Sequence, residues 1–187
     1  WARLGRLRLN LGDYAGVTAC ADALFKLDKD DIDGVLLSGR VLYDAGRYED
    51  AAKVFARVRE IAPANTGKAW KFEKGKRQSH IAELWCSAGE CYFMLNLLHN
   101  ANSAWGNALS ADEFHVRTLG WMARLYLEQN HHSSAMTNYV GEGLRHNGLA
   151  ADLHFWASQV HFSQWRGGPG LKSLDQCLKI APDHHLA

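Results

Sequence analysis

Hydrophobic positions recur at three- and four-residue spacing along the chain, most clearly between Ile32 and Pro63. Val35, Leu36, Gly39, Leu42 and Tyr43 mark one amphipathic helix, and Ala51, Val54, Phe55 and Val58 mark a second. Between them, Asp44-Ala45-Gly46-Arg47 predicts a tight turn with Gly46 in a left-handed conformation. Pro63 cannot continue a helical hydrogen-bond ladder and should end the second helix. Gly39 and Ala51 are small where two antiparallel helices approach closely, and the aromatics are expected to fill space between successive hairpins.

This hairpin recurs. Gly5, Gly12 and Tyr14 return as Gly39, Gly46 and Tyr48, each pair 34 residues apart. Ile61-Ala62-Pro63 returns as Ile180-Ala181-Pro182 after 119 residues, which is three periods of 34 plus 17. The remainder is met by about sixteen residues inserted after Pro63 and one more near Gly167–Gly170. Gly89, Ala123 and Ala157 then fall in phase with Gly39. Ala51, Ala101 and Ala135 share a second position, and Phe55, Trp105 and Tyr139 share a third. The pattern predicts five helix–turn–helix repeats at about 1–31, 32–65, 82–115, 116–149 and 150–183, with an insertion at about 66–81.

The pattern resembles the tetratricopeptide repeat family. In the second repeat Gly39, Gly46, Tyr48, Ala51, Phe55 and Pro63 all occupy signature positions. The first keeps Trp1, Leu4, Gly5, Gly12 and Tyr14 but has Val17 and Ala21 where the family has alanine and a large aromatic. Trp85, Gly89, Tyr92, Ala101, Trp105 and Ala108 carry the third, and Met122, Ala123, Tyr126, Ala135 and Tyr139 the fourth. The fifth retains Trp156, Ala157 and Pro182, while Trp165-Arg166-Gly167-Gly168-Pro169-Gly170 replaces the tight turn. The resemblance implies an all-α, right-handed α-solenoid running as one segment over 1–187. Trp1 opens the chain in place of Met, and neither end has a polar capping helix, so a fragment of a longer solenoid is expected.

Composition narrows the function classes. The 187 residues are 47% hydrophobic and 22% charged, as in an ordinary globular protein. Lys and Arg number 21 against 20 acidic residues, so no overall field draws nucleic acid or an anionic membrane. Cys20, Cys86, Cys91 and Cys177 lack the spacing of a disulfide framework and read as buried thiols in a reduced, intracellular and cytoplasmic setting. No membrane span is predicted. The uncharged stretch from Cys91 to Ala111 is interrupted by Asn96, His99, Asn100, Asn102, Ser103 and Asn107.

Catalytic motifs are absent, and neither a metal nor another cofactor is expected. His131-His132 and His184-His185 are adjacent pairs that cannot share a helix face, and His154 with His161 lacks a third ligand. Gly167-Gly168-Pro169-Gly170 lacks the Lys-Ser/Thr of a phosphate loop and reads as a lengthened turn. The insertion sets Lys68, Lys71, Lys74, Lys76 and Arg77 against Glu73, with Trp70 and Phe72 interleaved. Either it grips an acidic peptide, phosphate or nucleic acid, or its aromatics pack back while the lysines stay in water.

The resemblance further implies that ligands lie in a concave groove lined by the first helix of each repeat. Carried over position by position, Arg6, Arg40, Glu90, Arg124 and Ser158 share one groove site. Asn10, Tyr43, Asp44, Phe93, Met94, Leu127 and Glu128 lie beside it. The three arginines either form a ladder for carboxylates or pair with Asp44, Glu90 and Glu128, and both can hold. The positions of the family's chaperone-tail clamp read Ala2, Arg6, Leu37, Glu83 and Ser87, so that ligand is disfavoured. The expectation is a non-enzymatic scaffold or adaptor for a partner helix or peptide, within a hetero-oligomeric assembly. Two alternatives stand beside it: a nucleic-acid, phosphate or acidic-ligand binder acting through residues 68–77, and a regulatory module of a larger enzyme.

Overall fold

A computed structural model describes residues 1–61 and 78–185, and every regular element among them is helical. The chain divides into two compact units, Trp1–Asp112 and Glu113–Ala187. The first contains α1 (Ala2–Asn10), α2 (Tyr14–Leu27), α3 (Ile32–Asp44), α4 (Tyr48–Ala56), α5 (Val58–Ile61), α6 (Ser79–Met94) and α7 (Leu98–Ala111). The second contains α8 (Val116–Glu128), α9 (His132–Ser134), a π-helical segment (Ala135–Val140), α10 (Gly141–His146), α11 (Ala151–Ser163) and α12 (Gly167–Ile180).

One turn geometry closes all five hairpins. The left-handed residues are Gly12, Gly46, Asn96, Asn130 and Trp165, with φ between 59 and 73°. In each turn the next residue's N–H donates five positions back: Asp13 to Arg8, Arg47 to Leu42, Leu97 to Tyr92, His131 to Tyr126 and Arg166 to His161. This bond satisfies a carbonyl that the helix end would otherwise leave orphaned. Gly and Asn tolerate the left-handed well, whereas a tryptophan there costs about 1–2 kcal/mol. Aspartates open two of the early helices. Asp13 accepts from the Gly16 N–H at 2.9 Å at the start of α2, and Asp31 opens α3 by accepting from Gly34 at 2.7 Å.

Packing within a hairpin follows one rule. A Cβ on Gly39 would lie 2.3 Å from the Phe55 ring, and one on Gly89 would lie 2.3 Å from Trp105. The aromatic of the second helix therefore sits against the glycine of the first helix in its own hairpin. The sequence expectation placed the aromatics between successive repeats; Phe55 and Trp105 lie against the glycine of their own hairpin. Trp105 is fully buried, and its indole N–H donates to the Cys86 carbonyl at 3.2 Å. The first hairpin has Ala21 where the second, third and fourth have the aromatic, and there Leu37 of α3 fills the space over Gly5. In the second unit, Ala123, Val140 and Ala157 form a core with Tyr139, Met136, Leu144 and Trp156 against it. All four cysteines are buried, and none is in a disulfide.

The single-residue insertion lies elsewhere than expected. The second helix of the fourth hairpin, from His132 to His146, is one residue longer than α7. The extra residue is absorbed in the π-helical segment, where the Gly141 N–H donates to the Met136 carbonyl five residues back. Gly141 makes room for this, since a Cβ there would approach that oxygen to 2.9 Å. Consequently Asn96 and Asn130 are 34 residues apart, but Asn130 and Trp165 are 35 apart. Gly167-Gly168-Pro169-Gly170 is the first turn of α12 rather than a lengthened loop. Proline is tolerated there because first-turn N–H groups have no intrahelical partner. Gly170 is required by the Phe162 ring, which a Cβ would meet at 2.5 Å.

Candidate partner-binding face

The first helices of the hairpins carry the candidate residues, and in the first unit ion pairs cross them. Arg6 on α1 pairs with Asp33 at the start of α3. The Arg40 guanidinium reaches Asp44 one turn on, at 3.2 Å, and Glu90 of α6 at 3.5 Å. Glu90 is buried, with its side chain only 3% exposed. The same guanidinium lies over the Tyr43 ring, 4.8 Å from its centroid. Phe93 packs on Trp105 with centroids 5.9 Å apart, while Asn10 and Met94 are exposed. Arg6 and Arg40 thus join successive first helices through pairs with Asp33 and Glu90. Asp44 and Glu90 were expected as partners from the sequence; Asp33 was not.

This cluster shifts a phenol. Burial pushes the Tyr43 pKa up from its ordinary 10.0 to about 12, the Glu90 carboxylate adding to the rise and Arg40 opposing it. The folded chain therefore holds a proton that the unfolded chain has released. Stability from this group is complete below pH 10 and is lost as pH rises from 10 to about 12. Titration of phenolate absorbance should show a transition near pH 12 that disappears in Tyr43→Phe. A Tyr43→Phe titration identical to wild type would contradict the placement of this side chain.

In the second unit, α8 and α11 pack side by side and form a shallow pocket of about 330 Å³. Arg124, Leu127 and Glu128 line it from α8, and Trp156, Gln159 and Ser163 from α11. Arg124 and Glu128 are one turn apart and bonded at 3.1 Å, and the guanidinium also lies over Trp121, 5.1 Å from its centroid. The π-helical insertion makes Gln159, not Ser158, the counterpart of Arg124. Ser158 is instead fully buried, its hydroxyl donating to the Phe155 carbonyl at 2.6 Å. Trp121 and Trp156, 35 residues apart, were the sequence signal for this shift.

Ser163 Oγ lies 2.9 Å from His132 Nδ1, but its proton is donated to the Val160 carbonyl at 2.8 Å. Burial, helped by Arg166, lowers the His161 pKa and favours the neutral ring. Among the described residues no three His, Cys, Asp or Glu side chains come together as a metal site, and no helix is long and apolar enough to cross a membrane. Lys68, Lys71, Lys74, Lys76 and Arg77 lie outside the described residues.

No protein-family model and no curated protein matches the chain. Solved structures do. TTC0263, a thermophilic TPR protein in Thermus thermophilus, is 14% identical, with a TM-score of 0.75 over 97% of this chain and 90% of its own. MamA is 14% identical, with a TM-score of 0.64 over 96% of this chain and 95% of its own. YrrB, a TPR protein with an unusual peptide-binding site, is 16% identical, with a TM-score of 0.58 over 97% and 85%. Together with the five hairpins, these likenesses show that the chain has the all-α solenoid repeat fold of tetratricopeptide repeat proteins.

Proposed function

We propose that this chain is a non-enzymatic interaction scaffold that docks a partner peptide or helix across the α8–α11 face. The observation that carries the reading is the pocket between these two first helices. Leu127 and Trp156 give it apolar walls, while Arg124, Glu128 and Gln159 surround them with donors and acceptors. Such a site suits one apolar side chain together with the polar backbone beside it. The peptide-binding site of YrrB supports the same use of the fold. Membership of a hetero-oligomeric assembly accords with the scaffold role, and buried thiols outside any disulfide fit an intracellular, cytoplasmic setting.

Affinity capture followed by mass spectrometry tests this. Wild type is compared with Arg124→Glu/Gln159→Ala, two changes on the rim of the pocket. The variant should keep the wild-type circular dichroism spectrum and lose at least one captured protein by about tenfold or more, as removal of central contacts does. An unchanged catch would sink the proposal.

A further inference from the structure

We infer that the turn of the fifth hairpin extends the α8–α11 pocket, Trp165 and Arg166 together receiving a partner segment that carries carboxylates beside its apolar anchor. This rests on the pocket being the docking site and names the chemistry of what docks there. Two observations single out Trp165. Its φ of 59° lies in the left-handed well, which Gly12, Gly46, Asn96 and Asn130 occupy in the other hairpins at little cost. The residue is also 96% exposed, so no packing within the fold offsets that cost. An aromatic ring held in an unfavourable backbone conformation and left in water does nothing for the fold, and such strain points to a contact made outside it.

The exposure belongs to the turn position itself. Gly12, Gly46 and Asn130 are exposed as well, although each is followed by a further hairpin in its own unit. So are Asp13, Arg47 and His131, the counterparts of Arg166. The turn adjoins the pocket, because Ser163 lines the pocket and lies two residues before Trp165. Charge then selects the partner. Inside the pocket Arg124 and Glu128 neutralise each other. Arg166, by contrast, is exposed and makes no ion pair among the described residues, and no acidic residue occurs from Ser163 to Lys172. An unpaired guanidinium takes a carboxylate as a bidentate partner, and the indole beside it offers a flat apolar surface to the neighbouring side chain.

The test uses two labelled synthetic peptides with the same leucine anchor, one followed by three glutamates and one by three lysines, titrated against the whole chain by fluorescence anisotropy. The glutamate peptide should bind about tenfold tighter or better, and Arg166→Glu should remove that preference. Trp165→Asn, the residue of the third and fourth turns, should weaken the glutamate peptide about tenfold and at the same time raise the urea midpoint. Opposite signs in binding and stability separate a contact residue from a structural one. Arg124→Glu/Gln159→Ala should abolish binding of both peptides. If it does so while Trp165→Asn and Arg166→Glu bind like wild type, the pocket stands and the role of the turn is overturned. If it has no effect, the pocket reading fails and this inference with it. Equal binding of the two peptides, or binding of neither, also overturns the inference. So does a wild-type dimer in sedimentation, or binding to phosphatidylserine vesicles, that Trp165→Asn removes, since either would assign the indole to a second copy or to a bilayer.

Discussion

Gly39→Leu should unfold or loosen the second hairpin and lower the stability of the first unit by about 3 kcal/mol or more, at the upper end of overpacking costs. Even the first added carbon would stand 2.3 Å from the Phe55 ring. That ring is 1% exposed, and Ala51 and Val58 of the same hairpin are fully buried, so it has nowhere to retreat. Two antiparallel helices must then separate, exposing their shared apolar face. Urea unfolding followed by circular dichroism measures the loss. A companion cycle locates its cause: Gly39→Ala should destabilise less when combined with Phe55→Leu than the two single changes together predict. Near-wild-type stability of Gly39→Leu would contradict the register of the hairpins.

Arg40→Glu should be nearly as damaging, and for an electrostatic reason. It removes the guanidinium that reaches both Asp44 and the buried Glu90, and it places a third carboxylate between them. Removing one partner of a fully buried pair costs about 3–5 kcal/mol, because the remaining charge keeps its desolvation penalty; the Arg40 side chain is 34% exposed, so the loss here falls at or below the lower end of that range. The sign of the coupling is diagnostic. Arg40→Leu/Glu90→Gln should lose less stability than Arg40→Leu alone, since neutralising Glu90 removes the charge left behind. If the double variant is the worse of the two, the Arg40–Glu90 pair is not what holds α3 to α6. Arg40 is for the same reason unsuited to a clean binding test, whereas Arg124, paired within α8 near solvent, can be changed with little cost.

The hairpins were legible in the sequence because each combines two helical periods with a turn that demands a particular backbone. Gly12 and Gly46 announce the left-handed position directly, and Asn96 and Asn130 occupy it at the same spacing. The fifth turn was disguised twice. Trp165 takes the left-handed well although nothing in a tryptophan predicts it, and the neighbouring glycines resemble a loop while forming the start of α12. A π-helical insertion is harder still to read. One extra residue rotates the following segment by about a hundred degrees, a shift that short apolar patterns absorb without an evident break.

Legibility of the α8–α11 pocket was uneven for a related reason. Position-by-position transfer named Arg124, Leu127 and Glu128, which line the pocket, because α8 lies before the insertion. It missed Gln159 and named Ser158, because α11 lies after it. The arginine pairs depended on reach. Asp44 and Glu128 are one turn from their partners and could be read from helical spacing, but Asp33 is 27 residues from Arg6 and meets it only when two hairpins stack.

Hydrogen-exchange mass spectrometry of the chain with and without its captured partner is the most direct test of the scaffold proposal. Exchange should slow on binding in Val116–Glu128 and Ala151–Ser163, the two helices that form the pocket. Little change is expected in Gly167–Ile180, on the second helix of the fifth hairpin. Protection confined to that helix, with Val116–Glu128 and Ala151–Ser163 unchanged, would contradict the proposal.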